Sequence, residues 1–110
     1  MRYFKMREIH EAYSHAAAGG QAVHVFTGAG AFPDAPKVFK RHREAAHLFD
    51  QDVERLKKTA RRLGVNKIVV SRLGEKGQHI DLCGKPLETA KALCENLRAD
   101  WSLTTKRRLG

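Results

Sequence analysis

The chain has 110 residues, 42% of them apolar, and Lys plus Arg outnumber Asp plus Glu 21 to 12, for a formal charge of +9. That length fits one domain around one modest core, and that apolar share excludes an intrinsically disordered chain. No run approaches the roughly 18 apolar residues of a membrane span, and the charged start from Met1 to Glu8 has no apolar stretch for a signal peptide. A cytoplasmic protein without a membrane partner is therefore expected.

In chain order, Tyr3 to Ala18 reads as an amphipathic helix, because Met6, Ile9, Tyr13 and Ala16 recur at three- and four-residue steps and Gly19-Gly20 can close it. Ala22 to Thr27 is short and partly β-branched, as a buried strand is. Gly28 to Pro36 reads as a glycine- and proline-rich loop. Lys37 to Phe49 admits two readings: a helix through Val38, His42, Ala45 and Leu48, or a basic linker feeding a short strand at Ala46–Phe49. A helix over Gln51–Leu63 follows, with Val53, Leu56, Ala60 and Leu63 as its apolar stripe. Asp50 or Asp52 can cap that helix, and Gly64 can stop it. Lys67–Ser71 and His79–Leu82 read as strands around a turn at Leu73–Gly77. Pro86 is expected to open the last helix, whose stripe is Leu87, Ala90, Leu93 or Cys94, and Leu97.

This alternation predicts an α/β (α+β) fold over residues 1–100, a small mixed sheet of three or four strands with about three helices packed on it. Residues 101–110 form a basic tail that is expected to be flexible. Cys83 and Cys94 make neither a disulfide framework nor a CxxC zinc pair, so both are expected to be reduced, with Cys94 in the core.

Three groupings carry possible chemistry. On the Gln51–Leu63 helix, Arg55, Lys58 and Arg62 lie across from the apolar stripe with Lys57 and Arg61 on the flank. Lys40, Arg41 and Arg43, with Lys37, extend the basic character. Such an arc can contact successive phosphates, or it is a solvated helix face whose cations suit the helix C-terminus. It lacks the pattern of a base-reading helix, so contacts would be to backbone. The second grouping is His79-Ile-Asp81, whose two polar side chains share a strand face about 7 Å apart. If the strands are neighbours, His47 and Asp50 can converge with them on a metal ion or a general base. The plainer alternative is a half-exposed strand face beside an aspartate that only caps a helix. The third grouping, Thr27-Gly-Ala-Gly30, lacks the third glycine and the following helix of a nucleotide loop. No cofactor motif is present, and a divalent metal at the His/Asp residues is the one cofactor the pattern leaves open.

The run His47-Leu-Phe-Asp50, a helix ending Arg62-Leu-Gly64, the His79-Ile-Asp81 motif and an alanine-rich helix around Ala90 and Ala92-Leu93 resembles a family of small bacterial and phage domains of unknown function. That family carries an HL-x-x-D-like segment, a helix ending in RLG and a His-Tyr-Asp motif. The likeness spans about residues 46–94. It departs where Ile80 replaces the tyrosine, where Val23–Thr27 runs into Gly28 without paired aspartates, and where Pro86 and Leu87 replace basic residues. The resemblance implies a shared architecture and marks His79 and Asp81, but implies no activity.

The charge therefore makes a non-enzymatic nucleic-acid-binding domain the leading expectation, working through phosphate contacts. The alternatives are a metal-dependent hydrolase or nuclease using His47, Asp50, His79 and Asp81, and an adaptor whose basic surface meets an acidic protein.

Overall fold

A strand is recognised by its partners as much as by its own residues, and the computed structural model, which describes residues 1–27 and 44–97, shows where pairing overrides periodicity. Its strands are β1 (Arg2–Phe4), β2 (Ala22–Thr27), β3 (Glu44–Phe49) and β4 (His79–Cys83); its helices are α1 (Ile9–Ala17), α2 (Val53–Leu63) and α3 (Gly84–Leu93), with a 3-10 turn at Met6–Glu8. The strands form one mixed sheet in the order β1-β2-β3-β4. β1 runs parallel to β2, while β2–β3 and β3–β4 are antiparallel. Parallel neighbours need a crossover, and α1 supplies it. No described helix is long and apolar enough to cross a membrane.

Alternation of side chains divides the sheet into two faces. Val23, Val25, Ala46, Leu48, Ile80 and Leu82 form one face, buried with Leu56, Ala60 and Leu63 of α2, Leu87 and Ala90 of α3, and Cys94. On the other face, Phe4, Ala22 and Phe49 are buried with Ala12 and Ala16 of α1. The strip beyond them carries His24, His47, His79 and Asp81, aligned across the strands by register.

Three sequence expectations are corrected. The first helix does not begin at Tyr3. Residues 2–4 pair with β2 and Phe4 enters the core, so the helix starts at Ile9; a three-residue strand is too short to leave a periodic signature. Lys67–Ser71 is not a strand but contributes a single bridge, Ser71 to His79. Ile68 and Val70 pack against the core while Val69 is 57% exposed, so the alternation is present without a ladder. The last helix starts at Gly84, two residues before Pro86, whose missing N–H costs nothing in a first turn. The two readings of Lys37–Phe49 resolve, for their described part, in favour of a strand at Glu44–Phe49.

Each sheet edge is met at one residue. The Asn96 side chain accepts from the Tyr3 N–H and donates to the Tyr3 carbonyl, each at 2.8 Å, as a neighbouring strand would. At the other edge, Ser71 and His79 exchange backbone hydrogen bonds of 2.8 and 3.0 Å.

The junction of β3 with α2 is organised by Asp50, whose exposure is 0%. One carboxylate oxygen accepts from the Asp52 N–H (2.9 Å) and Arg55 Nη2 (2.7 Å), the other from Gln21 Nε2 (2.9 Å) and Arg55 Nε (2.8 Å). Arg55 Nη2 also donates to the Gly19 carbonyl at the end of α1. Helix α2 is capped not by Asp50 but by Asp52, which accepts from the Arg55 N–H at 3.1 Å. Gly64 closes that helix at φ 87°, a conformation that favours glycine.

Removing one partner of a buried, hydrogen-bonded ion pair strands the other, whereas losing a cap loses one bond. Asp50→Ala is therefore expected to cost on the order of 3 kcal/mol and Asp52→Ala about 1 kcal/mol in urea unfolding. Equal costs would show that Asp50 acts as no more than a cap.

Candidate functional site

The antiparallel register sets His24 of β2 opposite His47 of β3, and His47 opposite Asp81 of β4. His79, two residues before Asp81, projects from the same face beside Phe49. One Asp81 carboxylate oxygen lies 3.6 Å from His47 Nε2 and 3.4 Å from His79 Nε2. One ligand-capable atom from each of His47, His79 and Asp81 lies within 4.8 Å of the others. Asp81 is the open member of the group, its side chain 42% exposed.

The imidazoles are held from behind. His79 Nδ1 donates to the Gly77 carbonyl at 2.7 Å, which puts the neutral ring's proton on Nδ1 and leaves a lone pair on Nε2, the atom that faces Asp81. His47 is packed between Phe26, with ring centroids 4.5 Å apart, and His79, also at 4.5 Å edge-on. His24 stacks on its far side at 6.0 Å and is only 4% exposed. His24 Nε2 donates to the Met6 carbonyl at 3.0 Å, leaving its Nδ1 as a bare acceptor. The Nδ1 atoms of both His24 and His47 are buried, and among the described residues neither has a hydrogen-bond partner.

Burial, then the nearby charge of His79, pulls the His47 pKa down to about 4. Burial also works against charge on His79, but its hydrogen bonds to Asp81 and to the Gly77 carbonyl outweigh it and the His79 pKa is raised.

The other residues singled out from sequence lie elsewhere. Asp50 does not join the cluster, because all its bonding goes to Gln21, Asp52 and Arg55 at the end of β3. Arg55 is correspondingly not a free cation: its guanidinium is paired to Asp50 and its pKa is raised by that hydrogen bonding. Lys58, Arg61 and Arg62 are exposed and Lys57 half-buried. Helix α2 packs on the Leu48 face of the sheet, so these cations stand on the opposite side from His47 and Asp81. Lys37, Lys40, Arg41, Arg43 and the Gly28–Gly30 turn lie outside the described residues.

Compared with family models, with curated proteins and with solved structures, the chain matches none. The chemistry of the site thus rests on its own geometry. Two contributors escaped the sequence reading, His24 and Gly77. The alternation of Val23-His24-Val25 carried a signal for the first, since a histidine between two core valines must face the other side of the sheet. Nothing local signals the second, which acts through its carbonyl.

A histidine whose folded pKa is depressed resists protonation, so its contribution to stability is complete above its ordinary value near 6.5 and is lost as pH falls towards about 4. His79 has the opposite sign: its contribution is present below that ordinary value and lost as pH rises through the raised one. In the metal-free chain at pH 6, ¹⁵N spectra of the imidazoles should show His79 doubly protonated and His47 neutral. A protonated His47 at that pH would contradict the geometry of the pair.

Proposed function

We propose that the chain is a metal-dependent hydrolase whose divalent ion is held by His47 Nε2, His79 Nε2 and an Asp81 oxygen. The observation that carries this reading is the pair of spacings from Asp81 to the two histidines, 3.6 and 3.4 Å. A tetrahedral ion bonded at about 2.0–2.1 Å separates its ligands by about 3.4 Å, so two edges of the required triangle already stand near their final length. The hydrogen bond from His79 Nδ1 to Gly77 supports the same reading, since a carbonyl behind the ring is the usual outer partner of a ligand imidazole. Two neutral nitrogens and one carboxylate suit zinc better than magnesium, which prefers oxygen. An ion held by these three residues would have room for a water beside them, and zinc would supply its chemistry by lowering the pKa of that water towards neutrality.

Within this chain, the residues divide the work. Asp81 supplies the negative charge that holds the cation and stands at the open side of the cluster. Phe26 and Phe49 flank the imidazoles with rings at 4.5 and 5.6 Å, limiting their rotation and excluding water from their backs.

Nucleic-acid binding through phosphate contacts is a second reading, favoured by one observation. Lys58, Arg61 and Arg62 are exposed on α2, and among the described residues none of them has an acidic partner within salt-bridge distance. It draws on the other side of the sheet and on two fewer contacts than the sequence suggested, since Arg55 is engaged by Asp50 and Lys57 is half-buried.

Zinc binds only the folded site, so at about 100 times its Kd it should stabilise the chain by about 2.7 kcal/mol and raise the melting temperature. Mg²⁺ should leave it unmoved, and His47→Ala, His79→Ala and Asp81→Ala should each abolish the zinc effect. A chain whose melting point ignores zinc has no such centre. For the second reading, the Lys58→Glu/Arg61→Glu/Arg62→Glu variant should lose nucleic-acid affinity and show a shallower dependence of log affinity on log salt; unchanged binding would remove α2 as the interface.

A further inference from the structure

Beside the cluster, α1 and the turn that precedes β4 enclose a second space, a cleft of about 380 Å³ lined by Tyr13, Ser14 and Ala17 on one side and Arg72, Lys76 and Gly77 on the other. We propose that this cleft is an anion-binding site for the phosphate group of a phosphorylated small molecule. Its role as the anchor of a substrate rests on the reading of His47, His79 and Asp81 as a metal centre.

Four observations support the assignment. Two cationic residues, Arg72 and Lys76, and two hydroxyl-bearing residues, Ser14 and Tyr13, line one space, and such side chains are donors a phosphate takes. Arg72 holds a left-handed backbone conformation at φ 55°, which is uncommon outside glycine and is retained where the surroundings enforce it. Its guanidinium lies against Gly77, where an added Cβ would stand 2.5 Å from Nη1; glycine makes room for that approach. Its ion pair with Glu75 is long, at 3.8 Å, and both side chains are more than half exposed, so it does little to neutralise Arg72.

The cleft and the cluster share a residue. Gly77 lines the cleft and its carbonyl accepts from His79 Nδ1. On the α1 side, the Tyr13 ring lies tilted against Phe49 at 4.9 Å, and Phe49 meets the His79 ring at 5.6 Å. The His79 imidazole thus stands between the two sites, with Nδ1 against the Gly77 carbonyl and Nε2 toward Asp81. The volume falls at the small end of the range for small-molecule pockets, which favours a phosphorylated metabolite-sized ligand over a polymer.

The test is a titration of the full chain with inorganic phosphate in the presence of EDTA, followed by amide chemical shifts. Saturable shifts at Ser14, Lys76 and Gly77 are expected, weakened about tenfold, or about 1.4 kcal/mol, in Arg72→Gln and in Lys76→Gln. Gly77→Ala keeps both charges but displaces the guanidinium and should weaken binding as well. Absence of saturable shifts, or shifts confined to Lys58, Arg61 and Arg62, would overturn the proposal, as would full retention of affinity in the Arg72→Gln/Lys76→Gln double variant. Glucose 6-phosphate should bind more tightly than a 5′-phosphorylated oligonucleotide, and the reverse order overturns the small-molecule assignment. Because EDTA removes any metal, phosphate binding alongside a failed zinc titration would support the cleft while ending the hydrolase reading; zinc binding without phosphate binding would do the opposite.

Discussion

A carboxylate withdrawn from water must find donors for both oxygens within the protein, or its burial costs several kcal/mol. Asp50 meets that demand with Gln21, Arg55 and the backbone of Asp52, and its own N–H and carbonyl engage Gln78. The consequence is a knot where four parts of the chain meet: the end of α1 through Gly19, the start of β2 through Gln21, the start of α2, and the run into β4 through Gln78. Gln21 extends it by donating to Thr59 on α2. The junction bears on the histidine cluster because β3 ends at it with His47 three residues before Asp50, and β4 starts from it carrying His79 and Asp81.

The sheet then does the sorting. Antiparallel pairing puts residues directly opposite one another close together on one face, so His24, His47 and Asp81 line up as a row without any loop having to hold them. Rigid strands are better platforms for such a group than loops. The same alternation that brings the polar residues together sends Ile80 and Leu82 to the other face, where α2 and α3 cover them. The excess positive charge of α2 is a separate surface for that reason. Among the described residues, the cation whose charge acts on His79 is Arg72, in a turn where neither hydrophobic periodicity nor helix geometry draws attention to it.

Much of this was legible in the residues. The apolar stripe Leu56, Ala60 and Leu63, the Asp52 cap and the Gly64 stop define α2 by local rules, and the structure places that helix within two residues of the expected start. The strand character of Ala22–Thr27 and His79–Cys83, and the common face of His79 and Asp81, follow from a period of two. The fold class, a small mixed sheet with helices packed on it, follows from their alternation. The edge strand β1 was not legible, because three residues carry no pattern and their conformation is settled by Ala22–His24 and by the Asn96 amide. The apparent strand at Lys67–Ser71 erred in the other direction: alternating burial of Ile68 and Val70 came with only one bridge, at Ser71.

By itself, then, the amino-acid sequence determined α2 with its cap and stop, the common face of His79 and Asp81 and the overall charge, because each is written in spacings of a few residues. Only the tertiary structure decided that His47 joins His79 and Asp81 while Asp50 does not. Asp50 and His47 are three residues apart, and a sequence offers no distinction between an aspartate that faces solvent and one sealed among Gln21, Arg55 and Gln78. Register and burial make that distinction, and both depend on partners distant in the chain, Gln21 for Asp50 and Asp81 for His47. The same long-range packing converted Arg55 from an expected phosphate contact into the counter-charge of a buried carboxylate.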